Sequence, residues 1–178
     1  MTYSLMRKQV KTGDVLIVRG TGIISRLVRT FTGESYSHVA LLVWEKDGLH
    51  VFEFVEGVGF QSMPTSEWLR RRRKQKLYFG VAPKVLGDHA GKVKAAAVKY
   101  RNGSVMSRMY GYFSLVKVWL SQKIGKKIPV HQRVCSTFVQ ECWTAGFFSL
   151  KRTADPGDIA DACSALHTLY ISEGDESS

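Results

Sequence analysis

Two apolar periodicities run along this chain. Val15-Leu16-Ile17-Val18 follows Gly13-Asp14 without a polar break, which predicts a turn feeding a strand covered on both faces. Ile23, Ile24, Leu27, Val28 and Phe31 recur at helical spacing, with Gly33 as a C-terminal stop. The β-rich runs from Ser37-His38 to Val43 and from Val51 to Val55 flank Glu45-Lys46-Asp47-Gly48, whose Asp-Gly step predicts an antiparallel hairpin.

Farther on, Pro64 to Arg73 reads as a turn of helix and Leu77 to Ala82 as another strand. Ala90 to Arg101 sets Val93, Ala96, Ala97 and Tyr100 on one helical face. Residues 105–122 are predicted helical, as is Val134 to Ala145, which Gly146 ends. Asp155-Pro156 has the cap-plus-proline pattern of a short helix reaching about Leu166. The elements add up to an α+β fold, a small antiparallel sheet packed against helices. The expected organisation is a single domain over residues 1–172 and a disordered acidic tail over 173–178.

With 178 residues, 44% of them hydrophobic, the chain is long enough for one buried core. It has no apolar run near the roughly 20 residues that cross a bilayer, and no secretory leader is visible. Three cysteines do not make a disulfide framework and lack zinc-type spacing. A cytoplasmic protein is the expectation, with a phage or secretion-system origin as the route to any substrate outside.

Charge changes the picture. Residues 70–133 hold 17 Lys or Arg and one acid, Asp88, for +16 out of a total of +11, and the rest of the chain carries −5. The densest stretch is Arg70, Arg71, Arg72, Arg73, Lys74 and Lys76. It suits an anionic membrane or another polyanion, nucleic acid being a weaker candidate because no nucleic-acid-binding motif accompanies it. A merely solvated basic face is the alternative.

Chemistry centres on Cys135, which opens the helix Val134 to Ala145. A sulfur there meets unpaired backbone N–H groups and the positive end of the helix dipole, conditions that favour a thiolate. A buried small hydrophobe would look the same in sequence. A nucleophilic cysteine needs an imidazole and the imidazole an acceptor. His38 begins an apolar strand, and Glu53 interrupts the apolar run of its partner strand, where an unpaired carboxylate would be costly. A four-residue loop Glu45–Gly48 sets Trp44 against Leu49 and Ala40 against Glu53, which places His38 diagonal to Glu53 on one face. Two polar residues on a solvent-facing strand remain the alternative. His131, four residues before Cys135, is the rival base, and a zinc site from that pair would lack further ligands.

The order Gly13-Asp14-Val15-Leu16, Tyr36-Ser37-His38-Val39, Glu53, Cys135-Ser136-Thr137-Phe138-Val139 and Asp155-Pro156-Gly157-Asp158 resembles the circularly permuted NlpC-type papain-like proteins, in the YiiX/YaeF-like branch. Glu53 and Val134-Cys135, in place of a second histidine and an Asn-Cys pair, separate the chain from the lecithin retinol acyltransferase-like branch. The resemblance implies a permuted papain-like fold and a cysteine peptidase or amidase. Cys135 would be the nucleophile, His38 the base and Glu53 the orienting residue, with a peptide or N-acyl substrate and no cofactor or metal. Acyl transfer or lipid or thioester hydrolysis at an anionic membrane is the second expectation. A catalytically idle basic domain that binds nucleic acid is the third.

Overall fold

The computed structural model describes residues 1–19, 36–55, 58–103, 124 and 134–171. The expected helices at residues 23–31 and 105–122, His131 and the tail 173–178 lie outside them. In chain order the elements are α1 (Tyr3–Gln9), β1 (Val15–Arg19), β2 (His38–Glu45), β3 (Gly48–Val55), β4 (Gly59–Pro64), α2 (Thr65–Arg71) and β5 (Lys76–Val81). A 3₁₀ turn (Lys84–His89) follows, then α3 (Ala90–Asn102), α4 (Cys135–Ala145), α5 (Pro156–Ala162) and β6 (Ala165–Leu169). The six strands form one antiparallel sheet in the order β4-β3-β2-β1-β5-β6, so the architecture is α+β with helices packed on the sheet.

Strand parity sorts the apolar residues into two cores. Val15, Ile17, Val39, Leu41, Val43, Phe52 and Phe54 face the layer of α3, α4 and α5. Leu16, Val18, Ala40, Leu42, Leu49 and Val51 face α1 and α2, where they meet Met6, Trp68 and Leu69. Burial on both sides explains why Val15 to Val18 is uninterrupted by polar residues.

On the α4 side, Phe54, Phe60, Tyr100 and Phe138 pack ring against ring with centroids 5.2–6.3 Å apart. This cluster ties the end of β3 to the first turns of α4, because Phe54 follows Glu53 and Phe138 lies one turn beyond Cys135.

The hairpin forms in the expected register, Trp44 opposite Leu49, with the strands closing to Glu45 opposite Gly48. Gly48 takes φ +137°, a conformation that side chains disfavour. Gly146 follows α4 as expected, for a different reason than a left-handed backbone: its φ is −85°, and Phe147 takes the positive φ of 68°. A Cβ on Gly146 would come within 2.5 Å of Leu86 and 2.7 Å of Val93, so close packing selects glycine.

One boundary differs from expectation. The helix after Asp155 ends at Ala162, and residues 165–169 form β6 along the edge of the sheet; Cys163 stands just past the helix. Three of the five β6 residues are exposed, so the strand carries no apolar alternation to read.

Candidate functional site

His38 is the first residue of β2 and Glu53 stands near the end of β3, both at the open end of the hairpin. Their parity is that of Ala40, Leu42 and Val51, so they share the sheet face covered by α2. The continued register puts Glu53 diagonal to His38, and the contact forms: His38 Nε2 lies 2.7 Å from Glu53 Oε2. The carboxylate side chain is 1% exposed and the imidazole 19%.

Cys135 reaches the same place from the opposite layer. Val134 caps α4 in an extended conformation, and the Thr137 hydroxyl closes the first turn by accepting from the Val134 N–H at 3.0 Å and donating to its carbonyl at 3.1 Å. The Cys135 sulfur lies near enough to the His38 ring to favour its charged form. Since Nε2 is engaged by Glu53, Nδ1 is the ring nitrogen left for sulfur. The structure thus brings Cys135, His38 and Glu53 into one chain of contacts, and the solvent-facing alternative for His38 and Glu53 does not hold.

Electrostatics follow from this arrangement. Burial works against a charged His38, but the Cys135 sulfur and the Glu53 carboxylate outweigh it and raise the imidazole to about 9. Burial likewise pushes the Glu53 carboxyl up, yet the hydrogen bond and charge of His38 and the charge of Arg72 hold it below the ordinary carboxylate range. The other thiols are different. Burial raises Cys142 well above an ordinary thiol, and it pushes Cys163, with help from Asp14 and Asp161, up to about 12.

Arg72 departs from its expected place at an anionic surface. One of its guanidinium nitrogens donates to both Glu53 oxygens, at 3.1 Å each, and its plane lies over the Trp68 ring, 4.2 Å from the centroid. The reason is geometric: Arg72 caps the C-terminus of α2, next to a carboxylate that would otherwise be buried with only one partner. Arg70, Arg71, Arg73, Lys74 and Lys76 are placed on the outside, and Arg71 pairs with Glu67 one helical turn away. Sequence reasoning missed the role of Arg72. The available signal was the spacing of Trp68 and Arg72, four residues apart and so on one side of a short helix.

Two of the motifs prove to be brackets for the fold. Asp14 accepts from the Lys11 N–H at 2.7 Å and the Ala82 N–H at 2.8 Å, tying the start of β1 to the end of β5, while Trp143 donates to the Gly13 carbonyl at 2.9 Å. Asp155 and Asp158 form a reciprocal cap at the start of α5, and Arg152 donates to Asp158 at 2.6 Å.

No protein-family model matches the chain, and no curated protein matches it. Its fold is similar to the crystal structure of the metalloprotein yiiX from Escherichia coli O157:H7, with 19% sequence identity and a TM-score of 0.54 over 78% of this chain and 67% of that one. At that identity the likeness is one of fold alone. No helix among the described residues is long and apolar enough to cross a membrane.

Proposed function

We propose that the chain is a cysteine hydrolase that cleaves an amide bond in a peptide or N-acyl compound, with Cys135 as nucleophile, His38 as base and Glu53 as orienting residue. The observation that carries the proposal is the His38 ring held between the Glu53 carboxylate and the Cys135 sulfur. In this reading the sulfur attacks the acyl carbon, and the Cys135 backbone N–H at the start of α4 donates to the developing oxyanion. The C–N bond breaks as His38 gives its proton to the departing amine. Water then loses a proton to His38 and attacks the thioester, which releases the carboxylate and restores the thiol. Glu53 keeps Nε2–H occupied and thereby presents Nδ1 to sulfur in every step.

The fold neighbour is described as a metalloprotein, and the donors of the candidate site do not suit a metal. Both Glu53 oxygens are held by Arg72, Nε2 of His38 is taken by Glu53, and no group of three His, Cys, Asp or Glu among the described residues forms a ligand set. No step in the proposal runs through a metal.

A second reading, lipid or thioester chemistry at an anionic membrane, is favoured by the outward placement of Arg70, Arg73, Lys74 and Lys76 beside the same helix that backs the site. A panel of N-acyl amino acids, peptides and phospholipids, run with the wild type and Cys135→Ala, separates the two readings. Cys135-dependent release of an amine supports the first and release of a fatty acid the second. No Cys135-dependent product from any member overturns both.

A further inference from the structure

We propose that Arg72, seated on Trp68, is the positioning residue of the site: it grips both oxygens of Glu53 and so keeps the carboxylate aimed at His38 Nε2. The inference rests on the proposed Cys135–His38–Glu53 centre and adds a fourth member that the motifs do not contain. A carboxylate held only by His38 could turn about its last side-chain bond, because one hydrogen bond to one oxygen leaves that rotation free. The guanidinium removes the freedom. It donates to Oε1 and Oε2 at equal distances of 3.1 Å, while Oε2 also meets Nε2 at 2.7 Å, so the plane of the carboxylate is fixed by two directions at once.

Arg72 is itself held. Its guanidinium covers the Trp68 ring, and Trp68 is fully buried in the core between α2 and the sheet. The Trp68 indole N–H bears on the same carboxylate from beyond ordinary hydrogen-bond geometry, and no other partner for it occurs among the described residues. The charged groups bearing on Glu53 are His38 from β2 and Arg72 from the end of α2; Arg71 in turn bears on Arg72, and Cys135 on His38. Lysine would not replace arginine here, since an ammonium on a flexible stem lacks the rigid guanidinium that lies over Trp68 and fixes the direction of approach to the two oxygens.

The test needs no substrate. Titrating the Glu53 carboxyl carbon by NMR should place its midpoint below 4.5 in the wild type. In Arg72→Gln it should rise by about one pH unit, a tenfold gain in proton affinity. The rate of Cys135 alkylation at pH 7 should fall about tenfold in the same variant and stay unchanged in Arg70→Gln. A purely structural arginine would lower stability and shift Glu53 by its charge alone while leaving the Cys135 alkylation rate where it was, and that result overturns the proposal. If Arg72→Gln does not fold, Arg72→Lys decides: a several-fold slower alkylation at unchanged melting temperature supports the grip on two oxygens, and a wild-type rate overturns it. A chain that hydrolyses nothing in the substrate panel would sink the proposed function, while the Glu53 titration would still report on Arg72.

Discussion

The two ends of the β2–β3 hairpin each carry a carboxylate with two cationic partners, and only one of them is a candidate for chemistry. At the turn, Glu45 pairs with Arg101 at 2.8 Å and Lys94 at 3.3 Å. At the open end, Glu53 pairs with Arg72 and His38. Both carboxylates are held below their ordinary range by these partners, against the opposing effect of burial. The partners of Glu45 are permanent cations that are 38–40% exposed, so that cluster fastens α3 to the hairpin and has no proton to pass on. At Glu53 one partner is an imidazole whose other side meets a thiol, in a place nearly closed to water. A paired carboxylate therefore says little by itself; burial and a titratable partner set the open end apart.

Removing the open end's proton carriers should have the largest effect. Cys135→Ala should abolish turnover, and His38→Ala should lower it by roughly 10²-fold or more, the usual loss for a general base. Carboxylate variants then sharpen the comparison. Glu53→Gln leaves Arg72 buried without its counter-charge and should cost about 3 kcal/mol in urea unfolding along with most of the activity. Glu45→Gln breaks half-exposed pairs, so its cost should stay below about 1 kcal/mol with activity retained. Equal losses at the two ends would erase the distinction.

Dependence on pH is expected to follow the same division. Because folding raises His38 from 6.5 to about 9, its contribution to stability is complete below about 6.5 and is lost as pH rises through 9. Turnover that relies on a protonated His38 should fall over that upper range. Glu53 has the opposite sign: its pKa is lowered on folding, so its contribution holds above 4.5 and is lost as the pH falls through its depressed folded value. A pH–rate profile that is flat from 7 to 10 would contradict the His38 assignment. Thiol labelling gives a smaller, qualitative contrast. Cys135 should alkylate before Cys142 and Cys163 in the folded protein, since burial disfavours the thiolate at both of the others.

Much of this site was legible because strand parity is strict. Once Asp47-Gly48 marks the hairpin, any loop of even length puts His38 and Glu53 on one face, and the burial cost of an unpaired glutamate asks for a partner. The helix start at Cys135 was legible from the apolar spacing of Phe138, Val139 and Cys142 and from Gly146. Elements whose formation depends on neighbours were not. Helix α1 is seven residues long and buries only Tyr3 and Met6, too short a stretch for a periodicity to show. Among the described residues β4 pairs with one strand, and β6 pairs with one strand and meets only Met1 and Thr2 on its outer side, where it is mostly exposed. Arg72 was hidden for a different reason: in sequence it is one of six basic residues within seven positions, and only the end of α2 turns it inward.

That difference within the basic run yields the smallest expected effect on chemistry. Replacing Arg70 and Arg73 with glutamine should weaken binding to anionic vesicles, by on the order of 1 kcal/mol per charge at low salt, and leave turnover of a small soluble substrate nearly unchanged. Tighter binding to nucleic acid than to vesicles at matched salt would instead favour a nucleic-acid partner. Loss of soluble turnover in a folded variant would place those residues in the cleft.

The account stands on His38 being the link between Cys135 and Glu53, and a histidine titration followed by NMR through the imidazole nitrogens reads that link directly. The wild type should titrate near 9, with Nε2 protonated toward Glu53, and the midpoint should fall by at least one pH unit in Cys135→Ala, which removes the sulfur and leaves the burial. A wild-type midpoint at or below 6.5, or one that does not move in Cys135→Ala, would contradict it.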